Sequence, residues 1–322
     1  MRPAASETKR IGFFLVPQFS MIAFTSAIEP LRLANRAVGR TLYEWVLHSP
    51  NGQPIAGSNG ITLNVDKAHA QARDIDLALV CTGLDVQSFD HRGLMGVLRR
   101  LSSHGAAIGA VCTGTYVLAK AGLLDGYQST IHWENRSSLV NEFPQLDVSE
   151  ELFEIDRNRM TCAGGTASLD MMLAMIARDH GAAVASQVTD QLIHHRIREA
   201  NEWQRMDLRA RLGVAHPKLL AVVATMEKTI EQPLSCRELA DDVGLSTRQL
   251  ERLFLKHFDA TPSRHYLSIR LDHARRLLRQ TSMPVLSVAL ACGFISASHF
   301  SKSYNEHFGG TPSTDRQNTR LS

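Results

Sequence analysis

The chain has 322 residues, 44% hydrophobic and 21% charged, enough to bury two cores and too apolar for a disordered protein. It opens with no charged start and apolar run, and it offers nowhere the ~18 uninterrupted apolar residues of a membrane span, so a cytoplasmic protein without membrane contact is expected. Cys81, Cys112, Cys162, Cys236 and Cys292 are odd in number and lack metal-ligand spacing; reduced thiols with no metal and no cofactor follow. The net charge of +3 hides a mild tilt: residues 216–322 hold 14 Lys and Arg against 10 Asp and Glu, the rest 21 against 22. By itself that favours a nucleic-acid partner only slightly.

In chain order, the front half alternates apolar runs with helical patterns. "IGFFLVP" (11–17) precedes a helix over about Ser20 to Val38, and "YEWVLHS" and "DLALVCT" follow as strands. A helix near 91–103 then leads into "AAIGAVC". "STIHW", "ELFEI" and "MTCAGG" are further strand candidates, and two helices close the half, with Leu169, Met172, Leu173 and Ile176 on one face of the first and Val184, Val188 and Leu192 on one face of the second. Such alternation predicts a parallel sheet covered by helices, an α/β sandwich. Within it, "GAVCTGTYVLAKAGLLDG" (109–126) runs from a strand through Cys112 straight into a helix, the shape of a nucleophile elbow. A charged stretch from Arg196 to Arg211 without an apolar face reads as the linker.

After Pro217 the strand signals cease, and two segments repeat. "LADDVGLSTRQLERLFLKHFDATPS" (239–263) matches "VALACGFISASHFSKSYNEHFGGTPS" (288–313) at an offset of 49 from Ala240 over Ala289 to Gly244 over Gly293, and of 50 from Leu250 over Phe300 onward. One inserted residue therefore separates the two helices of the second copy. Ser235 with Glu238 and Ser246 with Gln249 fit the capping box, and each copy is a short helix, a Gly turn and a second helix, the helix-turn-helix plan whose second helix enters the major groove. In the first copy Leu250, Leu253, Phe254 and Phe258 bury one face, leaving Thr247, Arg248, Gln249 and Arg252 for DNA. In the second, Phe300, Tyr304 and Phe308 are the core, leaving Ser298, His299, Ser301 and Lys302 outward. If Gln249 caps its own helix, it is less free to read a base. Arg270, Arg275, Arg276 and Arg279 on the long helix between the copies serve phosphate contact or solubility.

On "ELADDVGLSTRQLERLF", "TPSRHYLSIRLDHARRLL" and the second repeat, residues 216–322 resemble the AraC/XylS family of bacterial transcription regulators; the closing "TPSTDRQ" departs from that family's aromatic-Arg ending. Through "AVCTG" and the early helix carrying Glu29, the front half resembles the DJ-1/PfpI group of the class I glutamine-amidotransferase-like superfamily, and the combination resembles the GlxA-like regulators. The resemblance implies a flavodoxin-like sandwich for ligand sensing and dimerisation over 1–195, a linker over 196–215, and an all-α DNA-binding domain over 216–322 with helix-turn-helix motifs at about 235–258 and 284–308.

Its implied role is a metabolite-responsive regulator, an activator of a catabolic operon answering to a quaternary amine such as betaine or carnitine, or to an amino acid. Double-stranded operator DNA, a small effector, RNA polymerase and a second copy of the chain are the implied partners. Catalytic relatives place His after the elbow Cys; here Thr113 stands there, so Cys112, His132 and Glu29 are remnants of a site and no catalytic residue is assigned. The effector pocket is expected around Glu29, Cys112, Thr113, His132 and Trp133, with the helix N-terminus at Thr113 holding a carboxylate and an acid beside Trp133 holding an ammonium group. A Cys112-dependent amidase or hydrolase, and a redox switch at a low-pKa Cys112, are the alternatives.

Overall fold

A computed structural model of the chain describes residues 8–204, 208–281 and 283–321; the remaining residues of the expected domains and linker lie outside it. The chain forms two compact units that part after Gln204. The first holds β1 (Lys9–Leu15), α1 (Met21–Val38), β2 (Tyr43–Ser49), β3 (Ile55–Ala56), β4 (Thr62–Leu63), β5 (Lys67–Ala68), β6 (Leu77–Cys81), α2 (Arg92–Ser103), β7 (Ala107–Val111), α3 (Thr115–Lys120), β8 (Gln128–Ser129), α4 (Trp133–Glu142), β9 (Asp147–Val148), β10 (Phe153–Asp156), β11 (Arg159–Cys162), α5 (Ala167–His180) and α6 (Ala182–Gln191).

Seven strands make one sheet in the order β10-β11-β7-β6-β1-β2-β5, parallel except where β10 meets β11. Side chains alternate across β1: Ile11, Phe13 and Leu15 enter a core shared with α1, α5 and α6, while Phe14 enters a second core with α2, α3 and α4. Because helices cover both faces, the strands are apolar runs, not alternating patterns. Ser20 caps α1 by accepting the Ala23 N–H, and Gly39 ends it at φ 71°. The helix runs on through the buried Pro30, whose missing N–H removes one of its internal bonds.

One expected strand is different. Of "STIHW" only Ser129 is in a strand, and Trp133 already starts α4. His132 decides this by capping that helix: its Nδ1 accepts the Glu134 N–H at 3.4 Å.

The second unit is helical among the described residues: α7 (Leu208–Leu212), α8 (Pro217–Lys228), α9 (Cys236–Asp242), α10 (Thr247–Phe258), α11 (Pro262–Gln280), α12 (Val285–Ala291), α13 (Ala297–Phe308) and α14 (Pro312–Leu321). Both capping boxes form, at Ser235 with Glu238 and at Ser246 with Gln249. Each helix-turn-helix owns a core. Leu239, Leu250 and Phe254 fill the first with Tyr266 from the start of α11, whereas Val288, Phe300 and Tyr304 fill the second with Leu271, Ala274, Leu277 and Leu278 from later in α11. Burying a side chain of this size contributes about 1.5–3 kcal/mol, so each module draws part of its core stability from α11.

Three of the five arginines of α11 bind partners within this unit. Arg270 donates to Cys292 O and Gly293 O at 2.8 Å each and lies 4.3 Å from the centre of the Phe294 ring. Arg275 and Arg279 both bind the Asp315 carboxylate, which also accepts the Tyr304 hydroxyl at 2.7 Å. Asp315 belongs to the closing segment that departs from the family ending, and here it fastens α14 to α11.

Candidate functional site

Val111 ends β7 between Cys81 of β6 and Cys162 of β11, its partners in register. The chain then turns sharply. Cys112 takes φ 61°, a left-handed conformation costly for any residue with a Cβ. Two glycines make room for the turn: a Cβ on Gly114 would come within 2.7 Å of Val80 O, and one on Gly164 within 2.6 Å of Cys112 Cβ. Thr113 is buried and turned away from the thiol, its Oγ1 donating to Gly83 O at 2.6 Å and lying 2.7 Å from Thr82 Oγ1.

The Cys112 thiol is pushed up to about 12 by burial, which outweighs the Thr113 main-chain N–H that favours the thiolate; Cys162 and Glu134 add to the rise. The His132 N–H donates to Cys112 O at 3.4 Å. Its ring Nδ1 lies 3.9 Å from Glu134 Oε2, and burial lowers its pKa against the pull of Glu134. Among the described residues no hydrogen bond joins the Cys112 sulfur to this ring. Trp133 is half-buried, its ring 5.7 Å from that of His132.

Cys112, Thr113, His132 and Trp133 lie together at one strand end, while Glu29 on α1 is engaged by a neighbour on its own helix. Its carboxylate is 44% exposed and holds Arg32, one turn on, at 2.6 Å, a pairing that the i,i+3 spacing favours on a helix. The anion site expected at the Thr113 helix also changes in kind. Residues 112–114 form a 3-10 turn and α3 has only six residues, too short for a strong macrodipole. Sequence reasoning missed Glu134, an acid beside both Cys112 and Trp133; its place at the first turn after a His N-cap was the signal available.

A second omission concerns the segment 194–204, of which residues 196–204 are expected to open the linker. Asp170, wholly buried at the start of α5, accepts the Arg198 main-chain N–H at 2.8 Å and the Arg198 guanidinium at 2.7 and 3.0 Å, with His194 Nε2 at 3.3 Å. The Gln204 amide donates to Thr130 Oγ1, Ile131 O and Glu151 O at 2.9 to 3.0 Å. These are polar fastenings, which leave no periodic apolar trace. Two cavities lie in the same unit: one of about 520 Å³ between α6 and residues 193–197, and one of about 220 Å³ beside the buried His69 and His91.

In the second unit, Arg248 and Arg252 are exposed on α10, opposite the buried Leu250 and Phe254, and neither forms an ion pair or hydrogen bond with another described residue. Gln249 spends its Oε1 on the Ser246 N–H at 2.8 Å, so it lacks the free acceptor that bidentate reading of adenine needs. Thr247 is half-buried. On α13, Ser298, His299 and Lys302 are exposed and Ser301 is half-buried; Lys302 also faces Glu306 at 3.9 Å.

Residues 9–178 match the DJ-1/PfpI family and residues 239–318 match a helix-turn-helix domain family. The HTH-type transcriptional regulator GbdR of Pseudomonas aeruginosa is 44% identical over 99% of this chain and 87% of its own length. The HTH-type transcriptional regulator GlxA of Rhizobium meliloti is 40% identical over 96% of both chains. This chain belongs to that family of HTH-type transcriptional regulators. A crystal structure of an AraC family transcriptional regulator from Pseudomonas putida, 30% identical, overlays 57% of this chain and 99% of its own with a TM-score of 0.54.

The architecture is thus a DJ-1/PfpI-like α/β domain followed by an AraC-type helix-turn-helix domain, and the chain is a DNA-binding transcription regulator. No described helix is long and apolar enough to cross a membrane. The exposed guanidinium groups of Arg248 and Arg252 have the planar donor geometry that matches phosphate and guanine, and burial raises the Cys112 thiol.

Proposed function

We propose that this regulator is switched by a small amine-bearing metabolite held at the Cys112 turn, and that it activates a catabolic operon. Glu134 and Trp133 supply charge and an aromatic face for an ammonium group, and Thr113, His132 and Cys112 form the floor. Quaternary amines and amino acids fit that chemistry; Glu29, bound to Arg32, is left outside it. The effector acts by favouring one of two states of the protein, since only differential affinity shifts an equilibrium. No catalysis is assigned, because the raised Cys112 thiol, which no described base meets by a hydrogen bond, disfavours hydrolysis and redox sensing alike. The sensing part extends through Gln204 and supplies a dimer surface, the location is cytoplasmic, and RNA polymerase is the downstream partner.

Operator contact falls to Arg248, Arg252 and Thr247 from the first module and Ser298, His299, Ser301 and Lys302 from the second. The observation that carries this is the pair of exposed guanidinium groups on α10 with no partner among the described residues. In fluorescence anisotropy with an operator selected from random duplexes, Arg248→Ala and Arg252→Ala each weaken binding by about 1–3 kcal/mol. An effector found by thermal shift among amines, betaines and amino acids still induces the Cys112→Ser protein. Unchanged affinity in both arginine variants removes α10 from the interface, and lost induction in Cys112→Ser returns the chemistry to Cys112.

A further inference from the structure

The two modules differ by one residue, and the structure identifies it. The Leu245 N–H donates to Ala240 O and the Phe294 N–H donates to Ala289 O, both at 2.9 Å, so Leu245 and Phe294 are equivalent at an offset of 49. Both fill their module's core. Ser246 caps α10 and Ser296 caps α13, each accepting the N–H three residues on, so these serines are equivalent at an offset of 50. The extra residue is Ile295.

Ile295 is 97% exposed, and Ser296, Ala297, Ser298 and His299 after it are exposed too. Turns ordinarily carry Gly, Asn, Asp or Ser. Here a β-branched aliphatic side chain has been added where it touches no core of its own chain, directly before the helix whose N-terminal residues approach base edges in this class of domain. The apolar group that the major groove presents is the thymine C5 methyl.

We propose that Ile295 reads a thymine through that methyl group and is a specificity-determining residue of the second module. The first module has no equivalent residue; its exposed Arg248, the counterpart of Ser298, is suited to guanine or phosphate. The two modules therefore read unlike half-sites, with the methyl-read thymine in the second. This rests on the second module entering the major groove.

The test uses the full chain and a duplex selected by it from a random library, with each thymine replaced in turn by deoxyuridine, which removes only the methyl group. At one thymine in the second half-site the replacement weakens the natural chain by about threefold to tenfold. Ile295→Ser is weakened on the thymine duplex by a similar factor and is indifferent to the same replacement, while Ile295→Val keeps most of the discrimination. Replacing a side chain this exposed leaves the fold intact in both variants, checked by thermal melting. A natural chain indifferent to every deoxyuridine, or a serine variant as sensitive as the natural chain, overturns the proposal. If selection returns a single half-site, the second module does not enter the groove, and the underlying reading fails with it.

Discussion

Cys112 joins a strained backbone to an unreactive thiol. Holding a non-glycine residue at φ 61° costs about 1–3 kcal/mol, and in an enzyme that cost is offset by presenting a nucleophile. Here burial pushes the thiol up to about 12, so at neutral pH almost none of it is thiolate, the form that reacts. Iodoacetamide at pH 7.5 should therefore modify Cys236, half-buried at the start of α9, well before Cys112, which reacts in the folded protein only as pH climbs toward its raised value. Mass spectrometry of tryptic peptides over time reads the order. Cys112 labelled first, within minutes at pH 7.5, would contradict both the burial and the sensing role built on it.

At the scale of elements, what was legible in the sequence was what apolar packing and capping write there. The runs at 11–17 and 76–82 became β1 and β6, and the boxes at Ser235 and Ser246 became the caps of α9 and α10. Polar fastening was not legible. "STIHW" is rich in strand formers, yet Thr130 and Ile131 are buried as a connection and α4 begins at once; that helix buries only Ser138 and Leu139, too few for a periodic signal. The Glu29–Arg32 pair is another polar link, written in the sequence only as an i,i+3 spacing.

The segment after α6 shows the same limit, and there the cost of losing the fastening can be stated. Arg198→Ala would leave Asp170 buried without its guanidinium partner, which typically costs 3–5 kcal/mol. His194 and the main-chain N–H of residue 198 still reach the carboxylate, so the expected loss is about 3 kcal/mol, read from urea unfolding followed by a probe in the first unit. A loss below about 1 kcal/mol would mean that a surface-like pair of little weight, not a buried clamp, holds residues 194–204.

For the whole molecule, α11 decides how operator sequence can be read. Its 19 residues span about 28 Å, close to the ~34 Å between successive major grooves on one face of DNA. Tyr266 commits its first half to one module, and Leu271, Ala274, Leu277 and Leu278 commit the rest to the other. Arg270 bridges to the turn of the second module and Asp315 ties α14 back, so the spacing between modules is set by a packed helix and not by a tether. A tethered pair would lose affinity when five base pairs are inserted between half-sites and regain it at ten, when the faces realign. The packed pair should lose about a hundredfold at both insertions, falling to the affinity of one half-site. Fluorescence anisotropy on the selected operator and its two insertion variants measures this; recovery at ten base pairs would show α11 hinging within the second unit, and with it a route for effector control inside the DNA-binding domain itself.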